Sequence, residues 1–244
     1  MSHEWISAGY YVTKNFPVDG AHPVGAFTLA SDHQRRHYFP ETVLFEWTHP
    51  LPEERAEHRA LFGYDPSRSR EISDQHSSLP DFLPWSTYAT LALARESIQK
   101  YLPAHDVGRV LIGVALHRQF VAAFLKAHAP PASPPGYAPI APGGVYATIQ
   151  QNRAHAPGGR TLGFEVLMYE EGDVFNSPNS LHFDVNLVED EIRSSTNELG
   201  LISDHDSALR CLAQARTLFA TQNSIPPRTC TWFPWLISKY DERD

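Results

Sequence analysis

Three short groupings set imidazole beside carboxylate in this chain: His33 with Asp32 and His37, His182 with Asp184, and His205 between Asp204 and Asp206. Such residues can hold zinc or another divalent ion at about 2.0–2.2 Å, or pair a general base with the carboxylate that orients it. A metal centre needs ligands converging from several elements, and no H-E-x-x-H or comparably spaced motif occurs. Two of the groups also have local explanations. Asp204 and Asp206 fit the first turn of a helix, where negative charge opposes the positive end of the dipole, and His182 and Asp184 fit the wet face of a strand.

Nucleophilic chemistry has less to build on. The chain has no G-x-S-x-G elbow, and neither Cys211 nor Cys230 has a base close in sequence. Gly143-Gly144 and Gly158-Gly159 form neither a Walker loop nor a dinucleotide fingerprint, so they read as turns and no cofactor is expected. A hydrolase, metal-dependent or not, would have to assemble His182, Asp184, Asp204 or His205 from distant elements. That is the alternative reading of function.

The strongest local signals lie between Gly159 and Asp190. Phe164 to Tyr169 is a nearly continuous apolar run that suits a strand covered on both faces. In Leu181 to Leu187, four apolar residues alternate with His182, Asp184 and Asn186, the period of a pleated strand with one wet face. Glu170 to Ser180 is rich in turn formers and connects the two. The wet face and its flanks, Glu170, Glu171, Asp173, His182, Asp184, Asn186, Glu189, Asp190 and Glu191, form an acidic apron suited to steering a basic protein partner.

The elements that must carry this surface read as a mixture of strands and helices. Ile6 to Thr13, Ala26 to Ala30 and Thr42 to Trp47 are short and rich in aromatic and β-branched residues. A short helix is expected over Pro52 to Phe62 and an exposed loop over Asp65 to Ser78. Apolar spacing predicts a helix from Pro84 to Leu102 that includes Tyr88, then a buried strand from Val110 to Leu116. A second helix follows from Arg118 to His128, with Phe120, Ala123, Phe124 and Ala127 facing inward. Ala129 to Gly144 holds six of the twenty prolines and is the one plausible division between subdomains of an otherwise single domain, 1–244.

Val145 to Gln151 reads as a strand that the turn-rich Asn152 to Gly159 returns as a hairpin. Ser203 is expected to cap a helix whose apolar stripe runs through Leu209, Leu212, Ala215, Leu218 and Phe219. The aromatic segment Arg228 to Tyr240 is expected at a sheet edge, because Pro234 argues against a central strand. Strand signals in hairpin-like pairs favour an α+β fold, a largely antiparallel sheet with three or four packed helices.

Length and composition bound the rest. The chain has 244 residues, 42% of them hydrophobic, enough for a substantial core. A formal net charge of −8 and no Lys/Arg run disfavour nucleic acid as a partner. Two cysteines are too few for a stapled secreted scaffold, and neither a signal peptide nor a membrane-spanning run is apparent, so a cytoplasmic location is expected.

The motifs GFEVLMYE, NELGLI ahead of a helix, and TWFPWLISKY resemble those of bacterial immunity-type proteins of polymorphic toxin systems. The resemblance covers the last third of the chain. It implies a protein that neutralises a toxin or effector by direct binding, without a cofactor, and it assigns no residue.

Overall fold

A computed structural model describes residues 4–15, 35–37, 82–83, 87–101, 109–129, 144–169, 190–197, 201–221 and 231–243. The segments Ala26 to Ala30, Thr42 to Trp47, Pro52 to Phe62, Asp65 to Ser78 and Leu181 to Leu187 lie outside them, as does the interior of the Pro-rich stretch. The described strands are β1 (Trp5–Asn15), β2 (Arg35–His37), β3 (Phe82–Leu83), β4 (Thr87–Tyr88), β5 (Arg109–His117), β6 (Arg160–Tyr169) and β7 (Thr231–Tyr240). The helices are α1 (Leu91–Tyr101), α2 (Arg118–Ala127), α3 (Gly144–Gln150), the five-residue α4 (Asp190–Ser194) and α5 (His205–Thr221).

The strands join one sheet in the order β3-β4-β1-β5-β7-β6, with β2 also paired to β1. Every pairing is antiparallel. The protein is therefore an α+β fold in which helices cover both faces of an antiparallel sheet.

The alternation of β5 shows how the layers form. Val110, Ile112, Val114 and Leu116 point to one face, where they meet Phe124 of α2 and Val145, Tyr146 and Ile149 of α3. Leu111 points to the other face toward Ala94 and Ile98 of α1, and Ala115 packs there among Ile192 of α4 and Ala208, Cys211 and Leu212 of α5. A strand buried on both sides has to be apolar throughout, as VLIGVAL is.

Two bulges adjust this alternation. The β1–β5 register shifts between Ser7 and Gly9, so Ala8 and Tyr11, three residues apart, share a face. The β6–β7 register shifts between Thr161 and Gly163, which turns Leu162 to the α2–α3 side and Phe164 and Val166 to the α5 side. Gly163 has φ 146°, and a Cβ there would lie 2.7 Å from Leu201 Cβ and 2.8 Å from Ile202 O, so backbone conformation and space both require glycine. Phe164 exchanges hydrogen bonds of 2.8 and 2.9 Å with Ile202, which holds the segment leading into α5 along β6.

Several expectations change. Where a strand is expected over Val145 to Gln151, the chain forms helix α3 as far as Gln150: Val145, Tyr146 and Ile149 bury one helical stripe, and tertiary packing outweighs the β preference of Val, Tyr and Ile. The expected hairpin is consequently absent from 145–159. Tyr88 belongs to β4, and α1 starts only at Leu91, because the Thr90 hydroxyl accepts the Leu93 N–H at 3.2 Å and caps the helix.

On α2, Phe124 is buried with Phe120, Val121 and Leu125 around it, whereas Ala123 and Ala127 are exposed. The inward stripe is thus rotated from the expected one toward the larger side chains, which have more apolar area to bury. Pro234 stands in the middle of the sheet, not at its edge: β7 pairs with β5 on one side and β6 on the other. The proline is accommodated because the β5 ladder runs only as far as Trp235, while Pro234 itself is opposite Val166 of β6.

Candidate functional site

Of the nine residues assigned to the acidic apron, Glu170, Glu171, Asp173, His182, Asp184, Asn186 and Glu189 lie outside the described residues, as does the side chain of Glu191. Asp190 is exposed at the first position of α4. That single turn is anchored by Ile192, which is 1% exposed and packs among Ala208, Cys211 and Leu212 of α5. Ser195 closes it, its N–H and hydroxyl both donating to Ile192 O, at 3.0 and 2.6 Å.

The Asp204–His205–Asp206 grouping is described in full. Asp204, rather than Ser203, caps α5: its Oδ1 accepts the Ser207 N–H at 2.8 Å and its Oδ2 the Ser207 hydroxyl at 2.7 Å. These bonds from Ser207 hold its carboxyl below the usual carboxylate range. Ser203 is turned away, its hydroxyl donating to Ser195 O at 2.7 Å. Sequence spacing alone could not separate two adjacent cap-forming residues, because the choice rests on the tight 195–203 turn.

His205, the first residue of α5, is brought against His117, the last residue of β5, with ring centroids 5.1 Å apart and planes 29° from parallel. Trp5 of β1 stands steeply inclined to both rings, its centroid 5.0 Å from that of His117 and 5.2 Å from that of His205. Phe164 of β6 lies 5.5 Å from His205. His117 also caps α2, its Nδ1 accepting the Gln119 N–H at 3.3 Å, so its ring proton belongs on Nε2. The Nε2 of His205 is buried without a hydrogen-bond partner among the described residues. Burial foremost, then His117, lower the His205 pKa from 6.5, with Asp206, Asp204 and Glu4 opposing.

A second polar cluster lies inside the sheet face covered by α1. Tyr240 of β7 donates its hydroxyl to Ala156 O at 2.7 Å and lies 3.0 Å from His155 Nε2. With its one proton committed to the carbonyl, the phenol oxygen accepts from His155 Nε2–H. Tyr10 of β1 accepts the Ala156 N–H at 3.0 Å and stacks on His155 at 5.9 Å. The rings close over Gly113 of β5, where a Cβ would come within 2.7 Å of both His155 and Tyr240.

Burial lowers His155 to about 4 and is the leading cause of the raised pKa values of Tyr10 and Tyr240. Buried groups held in neutral forms are suited to fastening the 153–156 segment to the sheet. That segment is further held by Ser7 N–H to Arg153 O and His155 N–H to Trp5 O, both 2.9 Å.

Cys211 is buried in the α5 contact, and burial pushes its thiol up to about 12, far from a reactive thiolate. Among the described residues no three His, Cys, Asp or Glu side chains are grouped to hold a metal ion. No described helix is long and apolar enough to cross a membrane.

Sequence reasoning missed His117, His155, Tyr10 and Tyr240 and did not place Trp5 at a site. The one local signal was the position of His117 between an apolar strand and a helical stripe, where a cap is required. No protein-family model, curated protein or solved structure matches this chain.

Proposed function

We propose that this chain is a protein-binding module of the immunity type, which neutralises a basic toxin or effector domain by covering it with an acidic surface. The observation that carries the reading is the concentration of carboxylates from Glu170 to Glu191 in a chain of net charge −8. Opposed potentials speed encounter and fix orientation. The anchoring of α4 through Ile192 supports the same reading, since it gives exposed Asp190 a rigid base.

The test is association with the product of the adjacent reading frame, measured with purified proteins across a salt series. Neutralising Glu170, Glu171, Asp173, Glu189, Asp190 and Glu191 to Gln or Asn should slow association by tenfold or more at low salt and flatten its salt dependence. Failure to recover any protein partner from the producing cell, or unchanged association after neutralisation, counts against it.

One observation favours the alternative, a hydrolase: His205 does meet a second histidine from a distant element. Metal analysis and an esterase and phosphodiesterase screen of the wild type and His205→Ala separate the two readings. Turnover that the substitution removes would favour the enzyme.

A further inference from the structure

We propose that His205, packed against His117, forms a proton-sensitive latch that holds the start of α5 against the end of β5, closed while the His205 imidazole is neutral and released when it takes up a proton. The pair joins elements far apart in the chain. His117 ends β5 and caps α2, and His205 begins α5, so the two rings bridge two helix starts. Each helix start contributes positive potential, so a cation on His205, with its ring centroid 5.1 Å from that of His117, is disfavoured where the two starts meet.

The surroundings are arranged for neutral rings. Trp5 stands across both imidazoles, its ring plane 82° from that of His117 and 71° from that of His205, and gives them aromatic carbon in place of a charge partner. Phe164 covers His205 from β6. His117 accepts the Gln119 N–H on Nδ1, which fixes its ring at the start of α2 and so against His205. The lowered pKa of His205, caused chiefly by burial, agrees with this geometry.

Among the described residues the charged groups acting on His205 are Glu4, ahead of β1, Asp204, which caps α5, and Asp206 in its first turn. They oppose the effect of burial without reversing it. Asp204 is committed to Ser207, which also accepts from Arg210 at 2.9 Å. Arg118 of α2 turns its guanidinium to Asn152 at 3.4 Å. Protonation therefore acts on the fastening between α5 and β5, while the β5–β7 ladder itself contains no member of the pair in its register from Leu111 to Leu116.

Amide exchange resolved by residue tests the latch. In the wild type, the amides of Ser207 and Ala208, which bond Asp204 across the first turn, should lose at least tenfold more protection than the β5 and β7 amides between pH 7.5 and 5.5, after correction for intrinsic exchange. His205→Phe retains an aromatic ring against Trp5 and Phe164 but takes no proton, and should reduce the change to under twofold. If that variant does not fold, His117→Asn keeps a cap acceptor for Gln119 without the second ring, and an NMR titration of the wild-type His205 ring gives the midpoint directly. The latch is supported if that midpoint coincides with loss of Ser207 protection. It is overturned if Ser207 protection does not change, if it changes equally in the variants, if ring and amide midpoints differ, or if sheet amides lose protection by the same factor as those of α5.

Discussion

Tyr240 and His155, 85 positions apart in sequence, share a 3.0 Å hydrogen bond under which the backbone of β5 narrows to Gly113. The relationship ties a loop to the centre of the sheet. Tyr240→Phe removes the donor to the part-buried Ala156 O and the acceptor for the buried His155 Nε2–H, leaving both without this partner. The expected cost is about 1–3 kcal/mol, read as a lower urea midpoint with an unchanged slope. An unaltered midpoint would mean that these bonds contribute nothing net.

Gly113→Ala tests the same site from below. Its methyl group would fall 2.7 Å from His155 Cε1 and Tyr240 Cε2 and 3.0 Å from Tyr10 Cε1, and three interlocked rings leave little room to yield. A loss of about 1–3 kcal/mol from overpacking is expected in equilibrium unfolding. Gly158→Ala is a useful comparison for its different cause, since Gly158 has φ 85° and nothing within 4 Å of the added atom. Its cost should come from backbone strain alone.

The choice of cap residue can be checked by paired substitutions. Asp204→Ala should destabilise by about 1 kcal/mol, because it removes the acceptor for Ser207 N–H, and Ser203→Ala should cost less. Equal effects, or the reverse order in thermal unfolding, would restore Ser203 as the cap.

Acid should weaken the whole fold as well as the proposed latch. Burial lowers His155 and His128 to about 4 in the folded state, against 6.5 when unfolded. The unfolded chain therefore binds more protons in that window, so the stability these residues contribute is complete above pH 6.5 and falls as pH drops toward 4. At about 1.4 kcal/mol per pH unit, the loss approaches about 3 kcal/mol for His155 and is smaller for His128, which solvent screens more. Urea unfolding at pH 7.5, 6 and 5 reads it out, and a stability that stays flat across this range would show that neither histidine is buried neutral.

The sequence signalled the elements more clearly than their meeting points. VLIGVAL and FEVLMY are strands because a segment buried on both faces is apolar throughout, a pattern visible without a structure. The start of α5 was equally visible in its acidic first turn. VYATIQ misled because its residues favour strands individually, while the spacing of Val145, Tyr146 and Ile149 fits one helical stripe only once a sheet face is present to receive it. The proline of TWFPWLISKY misled because its tolerance depends on where the neighbouring ladder stops.

The candidate sites were harder to read. His117 meets His205, and Tyr10 meets Tyr240, through strand order and helix placement, and neither encounter leaves a short-range spacing in the chain. His155 sits in a turn-rich stretch, where a histidine ordinarily suggests solvent, yet it is 7% exposed.

The position of β7 between β5 and β6 has a bearing on how the protein is made. During synthesis the ribosome releases β5 and β6 well before the strand that joins them, so an apolar edge on each waits for residues 231–240 to emerge. Such late, long-range closure slows folding and leaves nascent chains open to mispairing until β7 docks.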